Sequence, residues 1–210
     1  MITIALPKGR LFEQTRELLS RCGYNLTLGE RQLVAEEESN ELRAILVKNS
    51  DLPTYVHHGI AGLGVCGSDV VYESGYNFYE LLTLPFGATR ICLAGRRDAP
   101  SAPEDTTVLR VATKFTRFTR DLFHSRGIAV NVIRLDGSVE LAPVLGLAPY
   151  IVDLVETGST LTAHDLEVKE TLGETSVQLI ANPAFYKYHF QAVHRFLERL
   201  KNALGENERA

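Results

Sequence analysis

Tryptophan is absent from this chain, and its 210 residues include one methionine and three cysteines. Cys22, Cys66 and Cys92 are odd in number, widely spaced and set among apolar residues, which excludes a disulfide framework and offers no zinc-ligand spacing. They read as core thiols. An excess of one charge is missing too: 22 basic against 26 acidic residues leave a formal charge of -4. No basic face is available to hold nucleic acid by bulk electrostatics. No apolar run is long enough to span a bilayer, and Met1 leads directly into the strand-like "ITIAL" instead of a basic start and an apolar signal core. The expectation is a cytoplasmic protein with neither a membrane nor a nucleic acid as partner. Internal repeats are lacking, and only the terminal "GENERA" reads as disordered.

Several motifs of nucleotide and hydrolytic chemistry are missing as well. The chain has no G-x-x-x-x-G-K-[ST], no G-x-S-x-G and no H-E-x-x-H, and its six histidines are scattered. Gly62-Leu63-Gly64-Val65-Cys66-Gly67 fits G-x-G-x-x-G letter for letter. Its first two glycines fall before or within a strand, not in the turn after one, so no nicotinamide or flavin site is expected.

Present instead is an alternation of strands and helices. "ITIAL" reads as a buried strand, followed by a helix with Leu11, Thr15, Leu18, Leu19 and Cys22 on one face and Gly23 as its stop. "LRAILV", "AGLGVCG", "RICLAG", "VLRVAT", "IAVNVIRL" and "YIVDLV" read as further strands. Asp51 is expected to cap a short helix through Pro53 and Val56, and Ser68 or Asp69 to cap "VVYE". "FTRFTRDLFHSRG" and "SVELAPVLG" read as helices, and Asn182-Pro183 opens a last one with Val193, Phe196, Leu197, Leu200 and Leu204 as its apolar stripe. The class is α/β with mostly parallel sheet. Gly95 to Thr106 reads as a surface loop inside the second of two lobes.

The chemistry gathers where these strands end, the place at which open α/β sheets bind ligands. Lys8, Gly9 and Arg10 follow the first strand, and two cations at a strand-to-helix junction suit phosphate. Thr113, Lys114 and Thr116 follow "LRVA", and Gly137-Ser138-Val139-Glu140 adds an acid after another strand. "IVDLVETGSTLT" carries Asp153 in an apolar run and then opens into Glu156, Thr157, Gly158, Ser159 and Thr160. Those hydroxyls, with a glycine that lets backbone approach a ligand, are suited to hold a phosphate, though on these residues alone a hydroxyl-rich turn capping a helix serves equally well.

"ALPKGRL", "DLPTYVHHGIAGLGVCGSDV", "VATKF", "GSVELAPVLGL" and "IVDLVETGSTL" occur in the order and spacing of the ATP phosphoribosyltransferase family, and the resemblance runs over nearly the whole chain. It implies the short form, since the chain stops after its last helix where the long form continues into a regulatory domain. It implies a two-lobed fold like type II periplasmic binding proteins, with residues 1–87 and 176–210 in one domain, 88–175 in the other, and substrates in the cleft between them. By resemblance, Thr157, Gly158, Ser159 and Thr160 wrap the 5′-phosphate of phosphoribosyl pyrophosphate. Asp153 matches the second acid of the pair that other phosphoribosyltransferases place on the ribose hydroxyls, with Val152 where the first would be. Asp153, Glu156 or both serve the diol.

The same resemblance puts Lys8, Arg10 and Arg31 on the departing pyrophosphate, and Gly67, Ser68, Asp69, Thr113, Lys114 and Glu140 near ATP. Mg2+ arrives on substrate oxygens, with no protein metal ligand named. The implied partners are a second copy of the chain, as a homodimer, and a regulatory subunit like histidyl-tRNA synthetase in a hetero-oligomer. Two residues depart from the family pattern: Gly62 replaces a common acid, and Ser68 stands where lysine is frequent. The rival is a cytoplasmic ligand-binding or sensor domain of the same fold without catalysis, which has no reason to carry a phosphate loop. A different phosphoribosyltransferase would carry the intact acidic pair, against which Val152 argues.

Overall fold

The computed structural model describes residues 1–27, 32–37, 41–100 and 108–205, the side chain of Glu36 apart. The chain forms two compact units, one from Met1–Gly87 and the segment beginning at Ser176, the other from Ala88–Thr175.

The first unit begins with β1 (Ile2–Pro7), α1 (Arg10–Arg21), β2 (Val34–Glu36) and β3 (Leu42–Val47). A single 3-10 turn (Asn49–Asp51) then leads into α2 (Leu52–His57), β4 (Leu63–Gly67) and α3 (Ser68–Ser74). β1 lies between β3 and β4 and pairs in parallel with both, while β2 runs antiparallel to β3. Strand β1 is buried on both faces because its alternate residues serve two cores. Ile4 and Leu6 pack with Leu18, Leu19 and Val65, and Ala5 packs on the other face with Leu52, Val56 and Cys66.

The second unit continues from β5 (Tyr79–Arg96) through β6 (Leu109–Thr113), α4 (Thr116–Ser125), β7 (Val130–Arg134) and α5 (Leu141–Val144) to β8 (Tyr150–Val155) and α6 (Ser159–Ala163). β6 pairs in parallel with β7 and β8, and β5 runs antiparallel to β8. Val111, Phe115, Phe123 and Val152 share one core, and Ala112, Ile151, Val155 and Val139 share another. The chain then returns to the first unit along β9 (Leu166–Ala181), which runs antiparallel to β4, and finishes with α7 (Pro183–Tyr188) and α8 (Phe190–Leu204).

Several elements differ from the sequence expectation. β5 starts at Tyr79, well before "RICLAG", and β9 has no counterpart in the sequence reading. Both carry alternating half-exposed residues with threonines and glycines along their outer stretches, which weakens a hydrophobic strand signal. The last helix is broken at His189, and Asn182 caps α7 by accepting a hydrogen bond from Phe185 N at 3.0 Å. Its stripe of Val193, Phe196, Leu197 and Leu200 is buried, with Phe196 against the Tyr24 ring. Neither α2 nor α3 has a side-chain cap. Asp51 instead accepts from the Ser50 hydroxyl, and Gly67 precedes the first turn of α3. Leu141–Val144 is all of "SVELAPVLG" that is α-helical. No described helix is long and apolar enough to cross a membrane.

All three cysteines are free, with Cys66 and Cys92 buried. Burial, assisted by the nearby charges of Asp69 and Glu80, pushes the Cys66 thiol well above its ordinary value of 9.0. The folded state therefore keeps the proton that the unfolded chain gives up. The stability contributed is full below the unfolded value and is lost as pH rises above it toward the folded one. Urea unfolding should show a midpoint that falls between about pH 8 and pH 10, and Cys66→Ala should flatten that fall by at most about 1.4 kcal/mol per pH unit. An unchanged slope in the variant would remove the thiol as its source.

Candidate active site

Within each unit, parallel strands release the chain at one common edge, and the polar residues marked in the sequence lie on the segments that leave it. In the second unit, β6 ends at Thr113, β7 at Arg134 and β8 at Val155. Lys114 follows β6, and its Nζ stands 3.7 Å from Oδ1 of Asp153 and 4.8 Å from the centre of the Phe115 ring. The two side chains are 44% and 30% exposed, so both are partly open to solvent. The pair ties Lys114 to the acid expected on the ribose.

After β8, Glu156 and Thr157 are exposed, and Gly158 takes φ +80° before α6 begins at Ser159. An L side chain rarely adopts that backbone, which accounts for glycine between two hydroxyl residues. Thr157 Oγ1 lies 3.1 Å from Ser159 Oγ, and Thr162 Oγ1 donates to Gly158 O at 3.2 Å. Thr157, Ser159 and Thr160 all remain exposed. Hydroxyls and backbone thus line one short turn whose base is Asp153. Val152, by contrast, is fully buried, and an acid there would lose its hydration without a partner.

Thr113 is 0% exposed. Its hydroxyl donates to Val152 O at 2.6 Å and accepts from Phe115 N at 2.9 Å, so it reaches a ligand only through its neighbours. Glu140 is half-buried beside α5, on the segment where Ser138 takes φ 48° and Val139 is buried.

In the first unit, Lys8 and Arg10 are exposed on the turn after β1, with Gly9 between them at φ +90°. Arg10 lines an open groove of about 600 Å³ along α1 with Gln14, Glu17, Arg21 and Asn25. Arg31 lies outside the described residues. After β4, a Cβ on Gly67 would stand 2.0 Å from Asp69 Oδ1, so the residue must be glycine for that carboxylate to fold back over the helix start. The Ser68 hydroxyl accepts from Ser176 N at 3.1 Å, which engages it with β9. Beyond it, Gln178 Nε2 donates to Ser176 Oγ at 2.8 Å and Thr83 Oγ1 donates to Gln178 Oε1 at 3.1 Å. Sequence reasoning missed this network because β9 was not visible as a strand.

With this geometry in place, comparison with known proteins is decisive. Residues 48–202 match the family model described as ATP phosphoribosyltransferase. The chain belongs to the ATP phosphoribosyltransferase family. An ATP phosphoribosyltransferase of Caldicellulosiruptor bescii is 44% identical over 98% of this chain and 100% of its own length. One from Thermococcus gammatolerans is 42% identical over 96% of this chain and 97% of its own. Among solved structures, the ATP phosphoribosyl transferase (HisG:HisZ) complex from Thermotoga maritima has a chain that aligns with a TM-score of 0.86 at 34% identity, covering 98% of this chain and 99% of that one. The periplasmic aliphatic sulphonate binding protein SsuA of Escherichia coli aligns with a TM-score of 0.65 at 13% identity over 96% of this chain and 72% of its own. That likeness establishes the type II binding-protein fold and nothing of function.

Glycine at position 62 has a steric reason. A Cβ on Gly62 would stand 2.3 Å from two carbons of the Phe185 ring, while the Gly62 N–H and C=O are engaged by Thr3 and Asn182. The ring fills the space of a side chain at position 62. Gly62→Asp should therefore destabilise the fold by about 1–3 kcal/mol. Adding Phe185→Ala should cost less in the Gly62→Asp background than in the parent. Additive costs in a denaturant double-mutant cycle would show that the two sites are uncoupled.

Proposed function

We infer that this protein transfers the phosphoribosyl group of phosphoribosyl pyrophosphate to N1 of ATP, giving phosphoribosyl-ATP and pyrophosphate, the first step of histidine biosynthesis. The observation that carries the reading is the exposed hydroxyl turn Thr157–Thr160, based on Asp153 in a chain whose family is ATP phosphoribosyltransferase. In this reading, Thr157, Gly158, Ser159 and Thr160 hold the 5′-phosphate. Asp153, Glu156 or both accept hydrogen bonds from the ribose hydroxyls, and Lys114 steadies Asp153 from 3.7 Å away.

The N1 lone pair forms the bond to C1 as the C1–O bond breaks, and that electron pair leaves with pyrophosphate. N1 is a weak neutral nucleophile and the leaving group is highly charged. Alignment of the reactants and cationic groups around the departing oxygens are then the main sources of rate. Lys8 and Arg10 supply that charge, joined by Arg31. Gly67, Asp69 and Glu140 approach the nucleotide, Ser68 supports them through β9, and Thr113 acts through Lys114. Mg2+ is expected to arrive on the pyrophosphate oxygens, where it neutralises charge.

The decisive assay incubates the purified chain with ATP, phosphoribosyl pyrophosphate and Mg2+ and follows phosphoribosyl-ATP. Thr157→Ala with Thr160→Ala removes two hydrogen bonds to a charged phosphate, each worth roughly 1.5–3 kcal/mol. Affinity for phosphoribosyl pyrophosphate should fall by about 10²–10⁴-fold while the unfolding midpoint is kept. Unchanged affinity and turnover would take the turn out of the site.

The same family supports a reading of the assembly. The Thermotoga maritima protein is a HisG:HisZ complex, and the present chain pairs with itself as a homodimer and with a regulatory subunit like histidyl-tRNA synthetase. In this reading histidine control runs through the regulatory chain, which biases the catalytic one toward a more or less active conformation. Histidine titrated into the isolated protein should change neither the initial rate nor the heat signal. Saturable binding coupled to inhibition would place the regulatory site in this chain and overturn the need for a partner.

A further inference from the structure

The parallel ladder between β6 and β8 pairs Val111 with Tyr150, Ala112 with Ile151 and Thr113 with Val152, and it stops at that last rung. One residue further along each strand stand Lys114 and Asp153, whose charged ends face each other at 3.7 Å. There, β6 bends into α4 through Phe115, at φ -89° and ψ 63°. The ladder's own backbone bonds therefore no longer set the separation of the two side chains.

The Thr113 hydroxyl takes over that task. It donates to Val152 O, immediately before Asp153, and accepts from Phe115 N, immediately after Lys114. The Thr113 carbonyl meanwhile accepts from Leu135 N at 3.1 Å, which ties in the segment leading from β7 to Glu140. Three segments that leave the binding edge thus meet at one fully buried residue. Valine would match its shape but would leave Val152 O and Phe115 N without this partner, a buried polar loss on both sides of the ion pair.

We propose that Thr113 is a positioning residue of the phosphoribosyl subsite, its hydroxyl fixing Lys114 and Asp153 at the spacing that receives the ribose hydroxyls. The proposal rests on the reading of Asp153 and the Thr157–Thr160 turn given above. A carboxylate held by a hydrogen-bonded backbone on one side and a cation on the other is oriented before the substrate arrives, which lowers the ordering cost of binding.

The test compares Thr113→Val, which keeps the volume and loses the hydroxyl, with Thr113→Ser, which keeps the hydroxyl and loses a methyl group. Thr113→Val should raise KM for phosphoribosyl pyrophosphate roughly tenfold, the factor that about one hydrogen bond supplies, and leave KM for ATP within about twofold. Thr113→Ser should keep both constants near the parent even where its unfolding midpoint is the lower of the two. Equal effects of the two variants, or a loss that follows the unfolding midpoint, would overturn the proposal.

Hydrogen exchange on the unaltered protein decides the matter should Thr113→Val fail to fold. Saturating phosphoribosyl pyrophosphate should slow exchange of the Phe115 amide several-fold, and an unaffected amide would overturn the proposal. Failure of the underlying site reading is distinguishable, because Asp153→Asn and the Thr157/Thr160 variants would then leave phosphoribosyl pyrophosphate binding intact. With those effects present, a silent Thr113→Val sinks this inference alone.

Discussion

Parallel pairing of β1 with β3 and β4, and of β6 with β7 and β8, is the constraint on which the rest of the molecule depends. A parallel neighbour cannot be reached by a tight hairpin, so the chain must cross over a sheet face each time before it starts the next strand. All the strands of such a set end on one side. The segments that leave that side carry Lys8 and Arg10 in the first unit, and Lys114, Glu140 and the Asp153 turn in the second. Within each unit, residues far apart in sequence share an edge because parallel neighbours end on the same side, and the crossover helices complete the faces that bury Ile4 and Leu6 in one unit and Val152 in the other.

That constraint also explains which parts of the molecule were legible beforehand. A strand buried on both faces is a short apolar run, and "ITIAL" and "YIVDLV" are such runs. Their C-terminal ends, and the site residues on them, could be placed to within a residue or so. β5 and β9 are different. Each is long and is continuously buried only toward the end that enters a core, Ile91–Gly95 in β5 and Val177–Ala181 in β9, with single buried residues such as Leu84 and Leu166 elsewhere. Their remaining stretches alternate half-exposed residues, so periodicity reveals only the buried end. The hydrogen bonds of Thr83 and Ser176 with Gln178 and Ser68 depend on how those stretches pair, and were hidden with them.

Hydroxyl residues show most plainly why a residue type does not disclose its task. Thr113, Ser68, Thr157 and Thr160 all follow or end strands, and the sequence groups them as ligand contacts. The structure separates them by burial and prior commitment. Thr113 is enclosed, with both of its hydrogen-bonding roles taken by backbone, and Ser68 accepts from β9. Thr157 and Thr160 stay exposed on a turn that Gly158 bends. Whether a hydroxyl serves the fold or a ligand therefore depends on whether a backbone group already lies within reach, a fact of tertiary packing and not of local sequence.

Glycine divides in the same way. Gly158 is favoured by its backbone angle, Gly67 leaves room for the carboxylate of Asp69, and Gly62 leaves room for the ring of Phe185. Only the first is local, set by the turn itself. The second depends on a residue two positions away, and the third on a helix more than a hundred residues later in the chain. A longer side chain at position 62 and a phenylalanine packed over that position would compete for one space, so each choice limits the other. Glycine at position 62 thus answers to a ring that α7 brings from far along the chain, a constraint of packing that no local reading could supply.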